Sequence, residues 1–182
     1  MSTTHLRTID DLMAMLESEP FELIEGELIK VSPSGAKSSM ISLRIGSLIL
    51  EYAERNGLGY VTGEAGGFIL STSPDTVVAP DVGFIRSQHA PDGPPERGYW
   101  PVPPDLAVEV ISPTDEPQHI LRKQQLYEST AIPIVWWVDP TKRVVTVRVP
   151  DLEPQIAAVG DFLDGLHVLP GFRIAVAEIF DQ

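Results

Sequence analysis

Residues 105–112, DLAVEVIS, constrain the fold more than any other stretch of the chain. In an extended segment Leu106, Val108 and Val110 point to one side, and Ala107, Glu109 and Ile111 to the other. Both faces are therefore apolar except for one carboxylate. A strand of this kind is covered on both sides, which calls for a sheet inside a layered α/β or α+β domain. The carboxylate must then be ion-paired, protonated, open to a cleft or bound to metal, because an unpartnered buried charge is too costly to keep.

The periodicities around this strand supply the layers. Residues 8–18 read as a short helix with Thr8 as N-cap, stopped by Pro20, and Phe21–Ile24 with Glu27–Val31 as a hairpin about Glu25-Gly26. Ile41, Ile45, Leu48, Ile49 and Tyr52 recur at helical spacing and predict the longest helix, Ser38–Arg55, ended by Asn56-Gly57. LGYVTGE, GGFIL and TVVAPDVGFI follow as three strand-like runs. The segment 86–105 carries six prolines and reads as a surface excursion. A second helix is expected over Gln118–Thr130. IVWWVDP and RVVTVRV then pair about the turn 139–142, QIAAVG and LHVLPGF are short strands, and VAEIF is a terminal helical turn. Trp136 and Trp137 point to opposite faces of their strand. The fold class is α/β (α+β): a mixed, twisted sheet flanked by helices.

At 182 residues the chain has room for one compact domain, read as residues 21–182 with an N-terminal helical segment over 1–20 packed on it. Cysteine is absent, which excludes disulfides, a thiol nucleophile and thiolate metal sites. The four scattered His argue against an imidazole-based zinc centre. Asp10 and Asp11 interrupt the place where a signal peptide needs an apolar core, and no apolar run reaches membrane-spanning length, so a soluble, cytoplasmic protein is expected. A formal net charge of −13 opposes simple polyanion binding and favours cations, which would reverse the charge of an acidic site locally.

Acids recur where a core would exclude them. Asp81 ends the apolar run VVAPD, and Glu109 lies inside LAVEVIS. Glu64, in YVTGEAGGF, stands among glycines that permit close backbone approach; alone it reads as solvated. Lys123 shares a helical stripe with Ile120 and Tyr127, where an apolar residue would ordinarily complete the core face. Its stem could snorkel along that face, or its ammonium could orient water and offset charge on a phosphoryl oxygen. Asp81, Glu109 and Glu64 as oxygen donors, with Lys123 beside them, fit Mg²⁺ or Mn²⁺ and phosphodiester hydrolysis.

GELIKVSPSG, GYVTGEAGGFIL, VVAPDVGFI, PPDLAVEVISPTD, the Lys123–Tyr127 helix, VWWVDP and VLPGF, in that order, resemble the bacterial "putative restriction endonuclease" family of the PD-(D/E)XK nuclease superfamily, from about Phe21 to Phe180. The resemblance implies a restriction-endonuclease-like core, a Mg²⁺-dependent site and DNA as substrate. By motif, Asp81 resembles the family's central metal-binding Asp, Glu109 the acid of its second motif, and Glu64 the acid of the preceding strand. The superfamily's usual Lys, two residues after the second acid, is Ile111 here, and Lys123 matches the Lys that this family carries on the following helix. Two departures stand out: Ser38 where many relatives have His, and Ile134 where a charged residue is common.

Three functions follow as expectations. The first is a metal-dependent DNA endonuclease using Glu64, Asp81, Glu109 and Lys123. The second is a catalytically weak or inactive protein of the same fold, acting as a binding or structural oligomer. The third is a metal-dependent hydrolase of a small phosphorylated substrate. A duplex-wide groove lined by Arg86, Arg97 or Lys37 separates the first from the third. A homodimer is expected, built on apolar or edge surface from His167–Leu169 and the hairpin 134–149.

Overall fold

The computed structural model describes residues 6–15, 20–113 and 115–181. The helix expected over 8–18 is α1, Ile9–Ala14, with Thr8 and Asp11 forming a capping box at its start. Its expected continuation over 16–18 falls outside the described residues. Leu12, its buried residue, packs with Leu23 and Val77.

Strands β1 (Phe21–Ile24) and β2 (Glu27–Lys30) form the expected hairpin. Glu25 and Gly26 turn it with φ of 53° and 78°, the left-handed pair that matches strand twist. Helix α2 (Ala36–Asn56) starts two residues before the sequence expectation and ends at Gly57, which takes φ 60° and donates to Ala53 and Glu54 carbonyls. Ile41, Ile45, Ile49 and Ala53, four apart, are its buried stripe.

Then come β3 (Gly59–Gly63), β4 (Phe68–Thr72), β5 (Asp75–Val78) and β6 (Val82–Arg86). The run TVVAPDVGFI is therefore two strands, which corrects the single-strand reading. Pro80 has no N–H to give a ladder, and the chain leaves one sheet and enters another across Ala79-Pro80-Asp81. A short 3₁₀ turn, Ser87–His89, opens the proline-rich excursion. Strand β7 (Leu106–Val110), helix α3 (Pro117–Ser129) and strand β8 (Ile134–Asp139) follow, with α3 as the crossover that parallel strands require. Strands β9 (Val144–Arg148), β10 (Gln155–Ala158), β11 (Phe162–Asp164) and β12 (Arg173–Ala175), and helix α4 (Val176–Phe180), complete the chain.

A mixed six-stranded sheet has the order β10-β9-β8-β7-β6-β3, and a four-stranded antiparallel sheet the order β2-β1-β5-β4. β11 and β12 pair with each other. LHVLPGF, expected as a strand, is instead the turn joining these two: Gly165 receives Val168 and Leu169 N–H groups, and Leu169 receives that of Phe172. On one face of the large sheet α2 and the C-terminal elements bury Val82, Phe84, Leu106, Val108, Val110 and Trp136. On the other face Ala107, Val135 and Trp137 pack with Tyr127 of α3 and with Ile24 and Val78 of the small sheet. Trp136 and Trp137 are both core, one per face.

The surfaces proposed for dimerisation need correction. Val168 and Leu169 are fully buried, and β9 lies between β8 and β10. The free edge on that side is β10, and the exposed apolar residues there are Leu152, Ile156, Val159 and Phe162. Among the described residues no helix is long and apolar enough to cross a membrane.

Candidate active site

The register of the large sheet aligns three acids. Gly63 pairs with Val82, and Val82 with Val108, both antiparallel. One step further, residue 64 falls opposite 81 and residue 81 opposite 109. This register brings Glu64, Asp81 and Glu109 to the ends of β3, β6 and β7, and Glu109 lies on the face that α3 covers.

Asp81 is held by its neighbour strand, since its Oδ2 accepts the Val110 N–H at 2.6 Å. Burial raises its pKa; the Val110 hydrogen bond and the Lys123 ammonium oppose the rise, and Glu64 and Asp115 add to it. Glu109 is buried inside β7. Its Oε1 accepts the Tyr127 hydroxyl at 2.6 Å and lies 2.8 Å from Lys123 Nζ. Burial pushes its carboxyl up to about 8, with Asp81 and Glu22 adding to the shift and Lys123 opposing it. Burial and the adjacent Glu109 hold the Tyr127 phenol well above its ordinary pKa, so the hydroxyl remains a donor.

Lys123 reaches this pair because its stem runs down the Ile120/Tyr127 stripe of α3. Ile120 and Tyr127 both join the apolar cluster beneath. Burial disfavours the ammonium, but the carboxylates of Glu109 and Glu22 outweigh it and keep its pKa above the ordinary lysine value. Glu64 is different. It is exposed in the turn after β3, and its Oε2 accepts the Ser34 hydroxyl at 3.3 Å. Its charge reaches Asp81, while its hydrogen bond to Ser34 leads away from the other acids.

One residue escaped the sequence reading. Glu22, on β1 of the small sheet, is only 7% exposed, and its Oε1 accepts both Lys123 Nζ and Ala79 N–H at 2.9 Å. The signal was present: Glu22 alternates with Ile24, so a carboxylate shares a strand face with a core residue, as in LAVEVIS.

The donor set suits a hard cation that keeps most of its water. Mg²⁺ is commonly held through one or two carboxylates; here Asp81 is half-buried, Glu109 is buried, and the charge of Asp81 helps raise the Glu109 carboxyl. Among the described residues no group of three His, Cys, Asp or Glu is arranged as a metal cage. Asp81 and Glu109 would hold such an ion, with Glu64 at the rim. Arg86, named above as a groove residue, is elsewhere: five residues along β6, about 16 Å from Asp81 at strand rise, where Asp105 binds it at 2.7 Å.

A sequence profile described as "Putative restriction endonuclease", named Uma2, matches residues 9–177. No curated protein matches the sequence. Among solved structures, "a putative nuclease belonging to DUF820" from Anabaena variabilis ATCC 29413 superposes with a TM-score of 0.79 at 18% identity, covering 95% of this chain and 97% of that one. The likeness shows the fold.

Proposed function

Because the chain belongs to the Uma2 family, we propose that it is a metal-dependent endonuclease that hydrolyses phosphodiester bonds in DNA. The observation that carries this reading is the buried Glu109 with the half-buried Asp81 beside it, next to the Lys123 ammonium. A purely structural core would place apolar residues at these positions, since well-packed hydrophobic residues often replace buried ion pairs without loss.

Bound Mg²⁺ would polarise the phosphate and lower the pKa of a coordinated water. The chain's own residues supply the rest. Val110 N–H fixes Asp81 through Oδ2, and Tyr127 fixes Glu109 through Oε1. Each carboxylate keeps its second oxygen for the cleft. An ammonium has three donors, and Lys123 gives one to Glu22 and one to Glu109, so the third is available to a phosphoryl oxygen or an attacking water.

The substrate would meet a chain whose cations are largely committed to its own acids: Arg86 to Asp105, Arg122 to Glu27, Arg148 to Glu128. Loose, sequence-independent affinity for duplex should therefore be low. The same charge distribution favours a second reading, a non-catalytic oligomer of this fold in which Lys123 neutralises the acids. In either reading a homodimer would use the free β10 edge with Ile156, Val159 and Phe162.

A cleavage assay on duplex, single-stranded and nicked DNA with Mg²⁺ or Mn²⁺ tests the proposal, with Asp81→Ala as control. Metal-dependent cleavage that vanishes in the variant supports the endonuclease. Bound Mg²⁺ without cleavage of any form selects the second reading.

A further inference from the structure

Glu22 belongs neither to the connector that carries Asp81 nor to the strand of Glu109, nor even to the large sheet. It nevertheless holds a part of each half of the site. One contact goes to Lys123 Nζ, and the other to the backbone of Ala79, two residues before Asp81 in the connector between the sheets. Both end on the same oxygen, Oε1, so a single atom of β1 ties α3 to the connector. Glu22 is thus built to hold groups of the chain in place.

Lys123 stands between two carboxylates, at 2.9 Å from Glu22 and 2.8 Å from Glu109. These two are not equivalent. Glu109 lies in the row with Asp81 and would give electron density to a bound cation; Glu22 lies outside the row and would not. With Glu109 so engaged, the attraction that keeps the ammonium in the cleft weakens on one side only.

We propose that Glu22 is a positioning residue for Lys123: it retains the ammonium in the cleft while Glu109 serves a cation, and through Ala79 it sets the connector that carries Asp81 against the same point. This rests on the nuclease reading. The small sheet then has a role in the chemistry beyond covering the large one, because its first strand supplies the anchor of the group that faces phosphate.

Glu22→Gln separates the charge from the scaffold, since the amide oxygen can still accept the Ala79 N–H while the ion pair with Lys123 is lost. In a DNA cleavage assay the variant should lose about tenfold or more in kcat with KM little changed. Its Mg²⁺ affinity, measured by calorimetry without DNA, should stay within about threefold of wild type, because no metal donor is removed. In the Lys123→Met background Glu22→Gln should cost nothing further, since residues acting through one group are not additive. A merely structural Glu22 would multiply the two losses.

Wild-type kcat in Glu22→Gln, multiplicative losses in the double variant, or a loss of Mg²⁺ binding as complete as in Asp81→Ala would each overturn the assignment. Should Glu22→Gln not fold, Glu22→Asp keeps the charge but shortens its reach to both Lys123 and Ala79, and its kcat loss must shrink in the Lys123→Met background; a loss as large there as in the wild-type background overturns the assignment. A wild-type protein that cleaves no DNA form with Mg²⁺ or Mn²⁺ defeats the nuclease reading itself, an outcome distinct from an active wild type with an unaffected Glu22 variant.

Discussion

Asp81 Oδ2 accepts the Val110 N–H at 2.6 Å, which makes the middle acid of the row a fixed part of the strand that bears its neighbour Glu109. The bond crosses from a connector to the centre of a sheet, and it decides what the conservative variants should do.

Asp81→Asn can present an oxygen to Val110 and should fold as wild type, yet it removes a charged donor from the cation. Mg²⁺ affinity by calorimetry should fall at least about tenfold, and cleavage with it. Asp81→Ala should lose both, and in addition should melt earlier, because Val110 N–H is left unsatisfied at a cost of about 1–3 kcal/mol. Equal melting temperatures for the two variants would show the bond to be unimportant.

Lys123→Met preserves the stem on the α3 stripe and removes the charge between Glu22 and Glu109. In EDTA the protein should be destabilised by about 3–5 kcal/mol, the usual result of removing one member of a buried pair. Added Mg²⁺ should restore more stability to this variant than to wild type, since the ion replaces missing positive charge. Cleavage should stay low even at saturating Mg²⁺. Thermal melts with and without metal check the first two points.

Metal binding should be coupled to protons at Glu109. Its carboxyl is pushed up to about 8 by burial, so below that pH a proton occupies the group that a cation needs. The sign is fixed: below about pH 8 the folded apo protein holds on Glu109 a proton that metal binding must displace, so Mg²⁺ affinity rises with pH up to about 8 and levels off above it. Calorimetry in buffers of different ionisation heat should show proton release near one per site at pH 6, and close to none at pH 9. Release that does not change with pH would count against Glu109 as a donor.

Gly83 tests the seam between the sheets. An added Cβ there would stand 2.5 Å from the Phe68 ring and 2.8 Å from Thr62 Oγ1. Gly83→Ala should therefore destabilise by about 1–3 kcal/mol, read as a lower denaturant midpoint at unchanged slope.

What the sequence made legible is what periodicity controls. Glu109 was visible because one polar residue broke a strand apolar on both faces, and Lys123 because it interrupted a helical stripe; both lie where those periods put them. The split at Ala79–Asp81 was not legible, since Val77, Val78 and Val82 continue the apolar run across it and only pairing partners reveal that two sheets share it. LHVLPGF looked extended because Leu, Val and Phe dominate its composition, but Pro170 and the φ of 83° at Gly171 make it a turn. Glu22 was missed because its two partners lie 57 and 101 residues away. Its alternation with Ile24 marks the strand face but not the partners that face meets.

Asp105, 1% exposed, binds the Arg86 guanidinium and the His89 ring from the far end of the excursion, closing residues 87–104 into a ring at its base. Trp100 adds a second fastening by packing on Phe68. Between these clasps residues 91–98 hang outside, exposed except for the half-buried Gly93. Lengthening that arc adds only slowly to the entropy of closure, because the clasp, not the arc, keeps its two ends together. The chain therefore has a place at the opposite end of β6 from Asp81 where peptide can be inserted, exchanged or tagged while the acids stay in register.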